Sequence, residues 1–278
     1  MLNGSSNASL QRLITQHFPA ARAAGVISGM QGLSGCSYRL TIDSVTLAAR
    51  CRSAEALPGV SLARQYRALS HLPQGIAPRP IGLNRDWLLT SWLPGSVSPI
   101  ITPISALARI LRDLHQLPPF GWAVNLTGLL ERWWLLAAPA RRSQQWLRWL
   151  HRLQARGEPH PLRLAPLHMD IHAGNIISNG AHLQLIDWEY AGDGDIALEL
   201  ALADCGDEST NNKLVSHYAS LARLNETTLS AQIRRWRPWG LVLGASWYEG
   251  RWHQTGEHQF IQLADAAWQQ LRNEERNT

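Results

Sequence analysis

The hydrophobic period changes once along the chain, and that change limits the fold more than any other feature. Ahead of Pro94-Gly95 the pattern is mostly that of strands. Tyr38, Leu40 and Ile42 are separated by polar residues, Val45 to Cys51 follows a turn at Asp43-Ser44, and Trp87 to Leu93 is a strongly apolar run. Such segments form strands with at least one buried face. Two helices are expected among them, one capped by Ser9 with Leu10, Leu13, Ile14 and Phe18 on its apolar side, and one over Ser61 to Leu72 that Pro78 and Pro80 stop. Beyond Pro94-Gly95 the spacing is helical. Thr102 is positioned to cap a helix with Pro103 at its first position and Ile104, Leu107, Leu111 and Leu114 in line, and further helices are expected over 128–137, 142–156 and from Ile196 to the C-terminus. One interruption falls in this half: Ile176-Ile177, Ser178-Asn179-Gly180 and Leu183 to Ile186 read as a hairpin turning at Asn-Gly. The expected architecture is α+β in two lobes, a β-rich lobe over residues 1–95 and a mostly helical lobe over 96–278.

Composition narrows the function. Lys and Arg number 26 against 21 Asp and Glu, a formal charge of +5. That surplus suits an anionic ligand such as a nucleotide. The longest basic stretch, Arg234-Arg235-Trp236-Arg237, is too short for a nucleic-acid-binding tail. Cys36, Cys51 and Cys205 are far apart in sequence and form no Cys-x-x-Cys pair, so neither a disulfide framework nor a zinc site is indicated. Met1 to Ala8 lacks the charged and apolar regions of a signal peptide, and no apolar run reaches a membrane-spanning length. A cytoplasmic protein without a membrane or nucleic-acid partner is expected. The 13 tryptophans serve either a core or a surface that holds an organic cation, and composition does not separate these roles.

The chemistry concentrates in Leu167-His168-Met169-Asp170-Ile171-His172-Ala173-Gly174-Asn175, followed beyond the hairpin by Leu185-Ile186-Asp187-Trp188. Phosphoryl transfer requires a carboxylate that orients the attacking hydroxyl and takes its proton, and Asp170 suits that role. It also requires hard oxygen ligands for Mg²⁺, which Asn175, returning around a tight loop, and Asp187, at the end of the next strand, can supply. His168 is expected to orient the loop by hydrogen bonds. A metal site built on His168, Asp170 and His172 is a rival reading, but it needs a helix, which Gly174 and the adjacent turn disfavour.

In this pattern the chain resembles the aminoglycoside phosphotransferase and choline kinase superfamily, relatives of the protein kinases. The resemblance implies a bilobal protein-kinase-like fold that uses ATP and Mg²⁺. It assigns Leu33, Ser34, Gly35, Cys36 and Ser37 to a phosphate-covering loop. Ala49-Arg50 sits at the strand that usually carries a lysine, and Ser91, Trp92 and Leu93 sit at the hinge that contacts adenine. Arg64 to Leu69 resembles the family's Arg-Glu-x-x-x-Leu helix, and Asp193 to Ala201 its Gly-Asp-Pro-x-x-Asp-Leu-Ala segment. Arg50 in place of lysine keeps the charge and can hold phosphate oxygens. Gln65 in place of glutamate removes the ion pair expected there. Leu185 to Gly192 is closer to the choline- and thiamine-phosphorylating side of the superfamily than to its drug-phosphorylating side. For a cationic alcohol of that kind, Trp188, Glu189, Trp247 and Glu249 are the expected substrate contacts. A choline, ethanolamine or aminoglycoside kinase and a catalytically silent nucleotide-binding module are the competing readings.

Overall fold

The computed structural model describes residues 4–19, 28–30, 36–42, 44–52, 58–180 and 182–276. Helix α1 (Gly4–His17) covers one face of a five-stranded antiparallel sheet. The sheet holds β1 (Ser28–Met30), β2 (Ser37–Ile42), β3 (Val45–Cys51), β4 (Pro80–Leu83) and β5 (Trp87–Ser91), in the order β1-β2-β3-β5-β4. Leu40 lies opposite Leu47 and Tyr38 opposite Ala49. These side chains therefore share one face, and with Trp87 and Leu89 they bury Leu10, Leu13 and Ile14 of α1 in a small core. Alternation sends Ala48, Arg50 and Leu88 to the other face. There α2 (Leu62–His71) packs on β4 and β5, its first turn capped by the Ser61 hydroxyl.

The helical half follows. Its elements are β6 (Ser96–Val97), α3 (Ile104–Leu114), α4 (Leu126–Leu136), α5 (Gln144–Arg156), β7 (Leu164–Leu167), β8 (Ile176–Ser178), β9 (Leu183–Leu185), β10 (Gly192–Asp195), α6 (Ile196–Leu202), α7 (Glu208–Ala222), α8 (Glu226–Thr255) and α9 (His258–Arg276). The hairpin of β8 and β9 is joined by β6, while β7 pairs antiparallel with β10. A second, larger core runs through these helices and reaches across to Ala68 and Leu69 of α2 and Leu88 of β5. Among the described residues no helix is long and apolar enough to cross a membrane.

Several local expectations are corrected. Helix α1 begins at Gly4, so Ser9 is not its cap; the Ser9 hydroxyl instead donates to Asp86 at 2.8 Å. Pro103, not Thr102, holds the cap position of α3, with no side-chain cap bond. Helix α2 ends at His71 with Leu72 as its cap and Pro73 next, so neither Pro78 nor Pro80 stops it. Pro80 instead opens β4, an edge strand where a missing N–H is tolerated. The β8–β9 connection spans 179–182, because Ser178 pairs directly with Leu183, so Asn179-Gly180 is part of a longer turn. Cys36 and Cys51, distant in sequence, are brought together across the β2–β3 hairpin. The Cys51 N–H donates to the Cys36 carbonyl at 2.8 Å, and the hydrogen bond with the Cys36 thiol, together with burial, pushes the Cys51 thiol up.

Candidate active site

A cleft of about 1140 Å³ lies between the cleft-side face of the sheet and the helical half. Ligand pockets usually hold roughly 300 to 1,000 Å³, so there is room for a nucleotide and a second small molecule. Ser37 and Arg50 form one wall, Ser91, Trp92 and Leu93 the back, and the segments 169–175 and 186–190 the floor. Gly240, Leu243, Gly244, Trp247 and Arg251, one stripe of α8, close the far side. Ser37, Arg50, Ser91, Trp92, Leu93, Asp170, Asn175, Asp187, Trp188, Glu189 and Trp247 thus converge on one cavity. Leu33, Ser34 and Gly35 lie outside the described residues, and Cys36, just ahead of β2, does not line the cavity.

The loop carrying Asp170 leaves β7 in a conformation that L residues rarely adopt. Met169 has φ 71°, and Asp187 after β9 has φ 66°. Such backbone persists only where surrounding bonds over-determine it, and at functional sites in particular. Here those bonds are visible. Glu199 of α6, fully buried, accepts the N–H groups of His168 and Met169 through one oxygen, both at 2.7 Å, and meets His115 Nε2 with the other at 2.8 Å. His115 Nδ1 is 2.7 Å from the Tyr218 hydroxyl, which accepts from Arg163 at 3.3 Å. Burial alone would raise the Glu199 carboxyl, but the bond and charge of His115 and the Met169 N–H hold it below the usual value.

From the front, the His168 ring ties this loop to the hairpin. Its Nε2–H donates to the Ile186 carbonyl at 2.8 Å and its Nδ1 accepts the Asp170 N–H at 3.3 Å. Both ring nitrogens are therefore engaged by backbone, and the ring stacks edge-on against Trp188. No cluster of three His, Cys, Asp or Glu side chains that could hold a metal occurs among the described residues. Asn175 directs Nδ2 to the Asp170 carbonyl and carboxylate at 3.0 and 2.9 Å, which turns its Oδ1 away as an acceptor. With the Asp187 carboxylate this makes a donor set of hard oxygens that fits Mg²⁺ completed by phosphate and water. His172 approaches Asp170 at 3.6 Å and takes the Gly174 N–H on Nδ1; the neighbouring Asp170 carboxylate raises its pKa despite burial.

Arg50 bridges the cleft. One end of its guanidinium bonds Asp187 and the other bonds Glu189. Burial would lower its pKa, and the two carboxylates hold it above its ordinary value. Glu189 is pushed up to about 8 by burial, with Asp187 adding to the push and Arg50 opposing it. Gln65 is buried at the same wall. The anionic partners of Arg50 thus come from the segment after β9, 137 and 139 residues away in sequence, where no local signal announces them.

Two expected substrate contacts are located differently. Glu249 faces away from the cleft and is fully buried in bonds to Arg141 at 2.8 and 2.9 Å and to the Trp268 Nε1–H at 3.1 Å. Helical spacing gave its angular position on α8 but not the arginine 108 residues earlier that neutralises it. Trp188 is fully buried with its Nε1–H on the Leu185 carbonyl at 2.9 Å, so it carries the floor from below. Trp247 does face the cavity and donates Nε1–H to the hydroxyl of Tyr190 at 3.1 Å, while Arg251 lies 5.9 Å from its ring centroid. Tyr190 and Glu199 were not singled out from their sequence neighbourhood. The only sequence signal for Glu199 is its position in the family-like Asp193 to Ala201 segment.

Comparison with known proteins matches residues 32–210 to the phosphotransferase enzyme family. The curated thiamine kinase of Salmonella paratyphi C (strain RKS4594) is 45% identical over 270 residues, covering 97% of this chain and 98% of that protein. Among solved structures, the choline kinase LicA from Streptococcus pneumoniae has a TM-score of 0.76 at 14% identity, covering 97% of this chain and 100% of that one. LicA in complex with AMP has a TM-score of 0.73 at 13% identity, covering 98% and 99%. These structures share the fold of a β-rich lobe set on a helical one.

Proposed function

The chain belongs to the phosphotransferase enzyme family, and from that we propose that it transfers the γ-phosphate of ATP to the hydroxyl of thiamine, giving thiamine phosphate. Near-full-length identity to a thiamine kinase is the observation that carries the substrate. The convergence of Asp170, Asn175, Asp187 and Arg50 on one cavity supports the chemistry. ATP as donor assigns the reaction to the cytoplasm.

In this reading residues 1–95 bind the nucleotide, and 96–278 carry the acceptor and the reacting groups. Ser91, Trp92 and Leu93 border adenine; Arg50 and the backbone of 33–37 hold the phosphates. The AMP complex of LicA supports a nucleotide in this fold. Asn175 Oδ1 and the Asp187 carboxylate would hold Mg²⁺, which when bound neutralises charge on the β- and γ-phosphates. Asp170 orients the thiamine hydroxyl in line with the γ-phosphate and accepts its proton. The Asn175 amide and His172 bear on the same carboxylate and fix its direction. His168 positions the loop and moves no proton, since both its nitrogens serve backbone groups. Tyr190 and Trp247 offer ring surface to the aromatic cation of thiamine.

The test is ADP release by the purified protein with Mg-ATP, offered thiamine, choline, ethanolamine and kanamycin separately, with product mass determined. Thiamine phosphate formed in clear preference is expected. Preferred turnover of another alcohol would replace the substrate and keep the catalytic residues. Turnover of none would leave a nucleotide-binding module.

A further inference from the structure

Arg50 faces two carboxylates, and they differ in setting. The Asp187 side chain is 23% exposed and open to the cleft; that of Glu189 is 8% exposed and enclosed. Mg²⁺ surrenders its water reluctantly and prefers carboxylates that leave room for it. Asp187 meets that requirement and Glu189 does not. A guanidinium carries five N–H donors along two edges, so it can be held on one side and offer the other. Glu189 is also a poor partner for a substrate cation, because Arg50 already neutralises it and little of it reaches the cavity.

Resting on the phosphotransferase reading above, we infer that Glu189 is a positioning residue for Arg50. It grips one end of the guanidinium so that the end now on Asp187 is available to nucleotide phosphates. The carboxylate that the α2 position lacks at Gln65 is thereby supplied from the segment after β9, on the opposite side of the cleft. Asp187 and Glu189 divide the work: one serves the metal, the other the arginine.

The test compares Glu189→Gln and Glu189→Asp with the unmodified full-length protein. Calorimetry gives the Kd of Mg-ADP in the absence of thiamine; kinetics give separate KM values for ATP and thiamine. Loss of one charge-assisted contact to the arginine is expected to weaken Mg-ADP and raise the KM for ATP in Glu189→Gln, each about tenfold. The KM for thiamine should stay within about twofold, and Glu189→Asp, which keeps the charge, should fall between. A raised thiamine KM with unchanged Mg-ADP affinity would overturn the inference and make Glu189 the substrate's partner. Unchanged nucleotide and thiamine parameters would overturn it also. If Glu189→Gln fails to fold, the same split between nucleotide and thiamine is read from Glu189→Asp. Because the Kd arm contains no thiamine, a protein that binds Mg-ADP without phosphorylating thiamine defeats the proposed reaction and leaves this inference standing or falling on Kd alone.

Discussion

Replacing Glu199 by glutamine tests whether the loop bearing Asp170 is held from behind. The carboxylate accepts two backbone N–H groups and contacts His115, all in the interior. Hydrogen bonds to a buried charge contribute about 1.5 to 3 kcal/mol each, and neutral ones about 0.5 to 1.5. Glutamine keeps an oxygen for the two N–H groups. Its NH₂ must face His115 Nε2, which can accept if the imidazole proton moves to Nδ1 and is donated to Tyr218. Three bonds thus survive at roughly neutral strength, each weaker by about 1 to 1.5 kcal/mol, and the expected loss is about 3 to 4.5 kcal/mol. For a chain of this size that lowers the melting temperature by about 7 to 11 °C. The backbone of Met169, left-handed at φ 71°, is also less firmly held, and kcat should fall by roughly tenfold to a hundredfold as Asp170 loses its aim. Glu199→Ala, which abandons two buried N–H groups, should cost more than the glutamine variant. The pH dependence has a definite sign. The folded carboxyl is depressed from 4.5, so its contribution is full above about that pH and is lost as pH falls through the lower folded value. The stability gap between wild type and Glu199→Gln should therefore close in acid. Thermal melts from pH 3 to 7 with parallel turnover assays give the answer. A Glu199→Gln protein that melts within about 1 °C of wild type and keeps its kcat would refute the reasoning.

Asp170→Ala should keep its melting temperature and lose at least a hundredfold in kcat, as expected of a missing general base; near-normal turnover removes Asp170 from that role. Asp187→Ala should abolish Mg²⁺-dependent ADP binding in calorimetry, and full activity with Mg²⁺ would count against it as a ligand. The His172 pKa is raised by Asp170, so its stabilising contribution is complete below the unfolded value of 6.5 and disappears as pH rises through the folded one. Melting temperatures of wild type and His172→Gln should therefore converge above neutrality, and parallel curves would show that the pair contributes nothing. Gly250→Ala should destabilise by about 1 to 2 kcal/mol although alanine is the better helix former, because its Cβ would stand 2.3 Å from the buried Trp133 ring. A variant more stable in urea than wild type would show that the ring yields.

What could be read from the sequence was what repeats or what chemistry spaces. Tyr38, Leu40 and Ile42 alternate with polar neighbours, and they form the strand expected of them. The hairpin after Asn175 and the helices after Ile196 also follow their apolar pattern. The strands Leu164–Leu167 and Gly192–Asp195 were not legible, since Leu-Ala-Pro-Leu and Gly-Asp-Gly-Asp carry no strand preference and pair only because the fold brings them together. In the site, the His-x-Asp-x-x-x-x-Asn spacing is local and visible. The pairs Arg50–Glu189 and Arg141–Glu249 join residues more than a hundred positions apart, and a single sequence holds no trace of such a choice. Charge alone suggested that Glu249 would meet a substrate cation, whereas a nearer cation of the protein already occupies it.

The core beneath α1 is separate from the one that fills the helical half, and the boundary runs through β5, whose Trp87 and Leu89 belong to one and Leu88 to the other. The smaller unit buries less and should open first, as a cooperative piece, while the larger stays closed. Arg50 travels with the piece that opens, and Asp187 and Glu189 remain behind. Each opening then dismantles the phosphate site, and a nucleotide spanning the two units must resist it by its own binding free energy. Amide exchange at Leu40 and Leu47 should slow in proportion to nucleotide concentration, while exchange at Leu111 and Trp133 stays unchanged. In the proposed reading, nucleotide binding thus also completes the folding of this lobe.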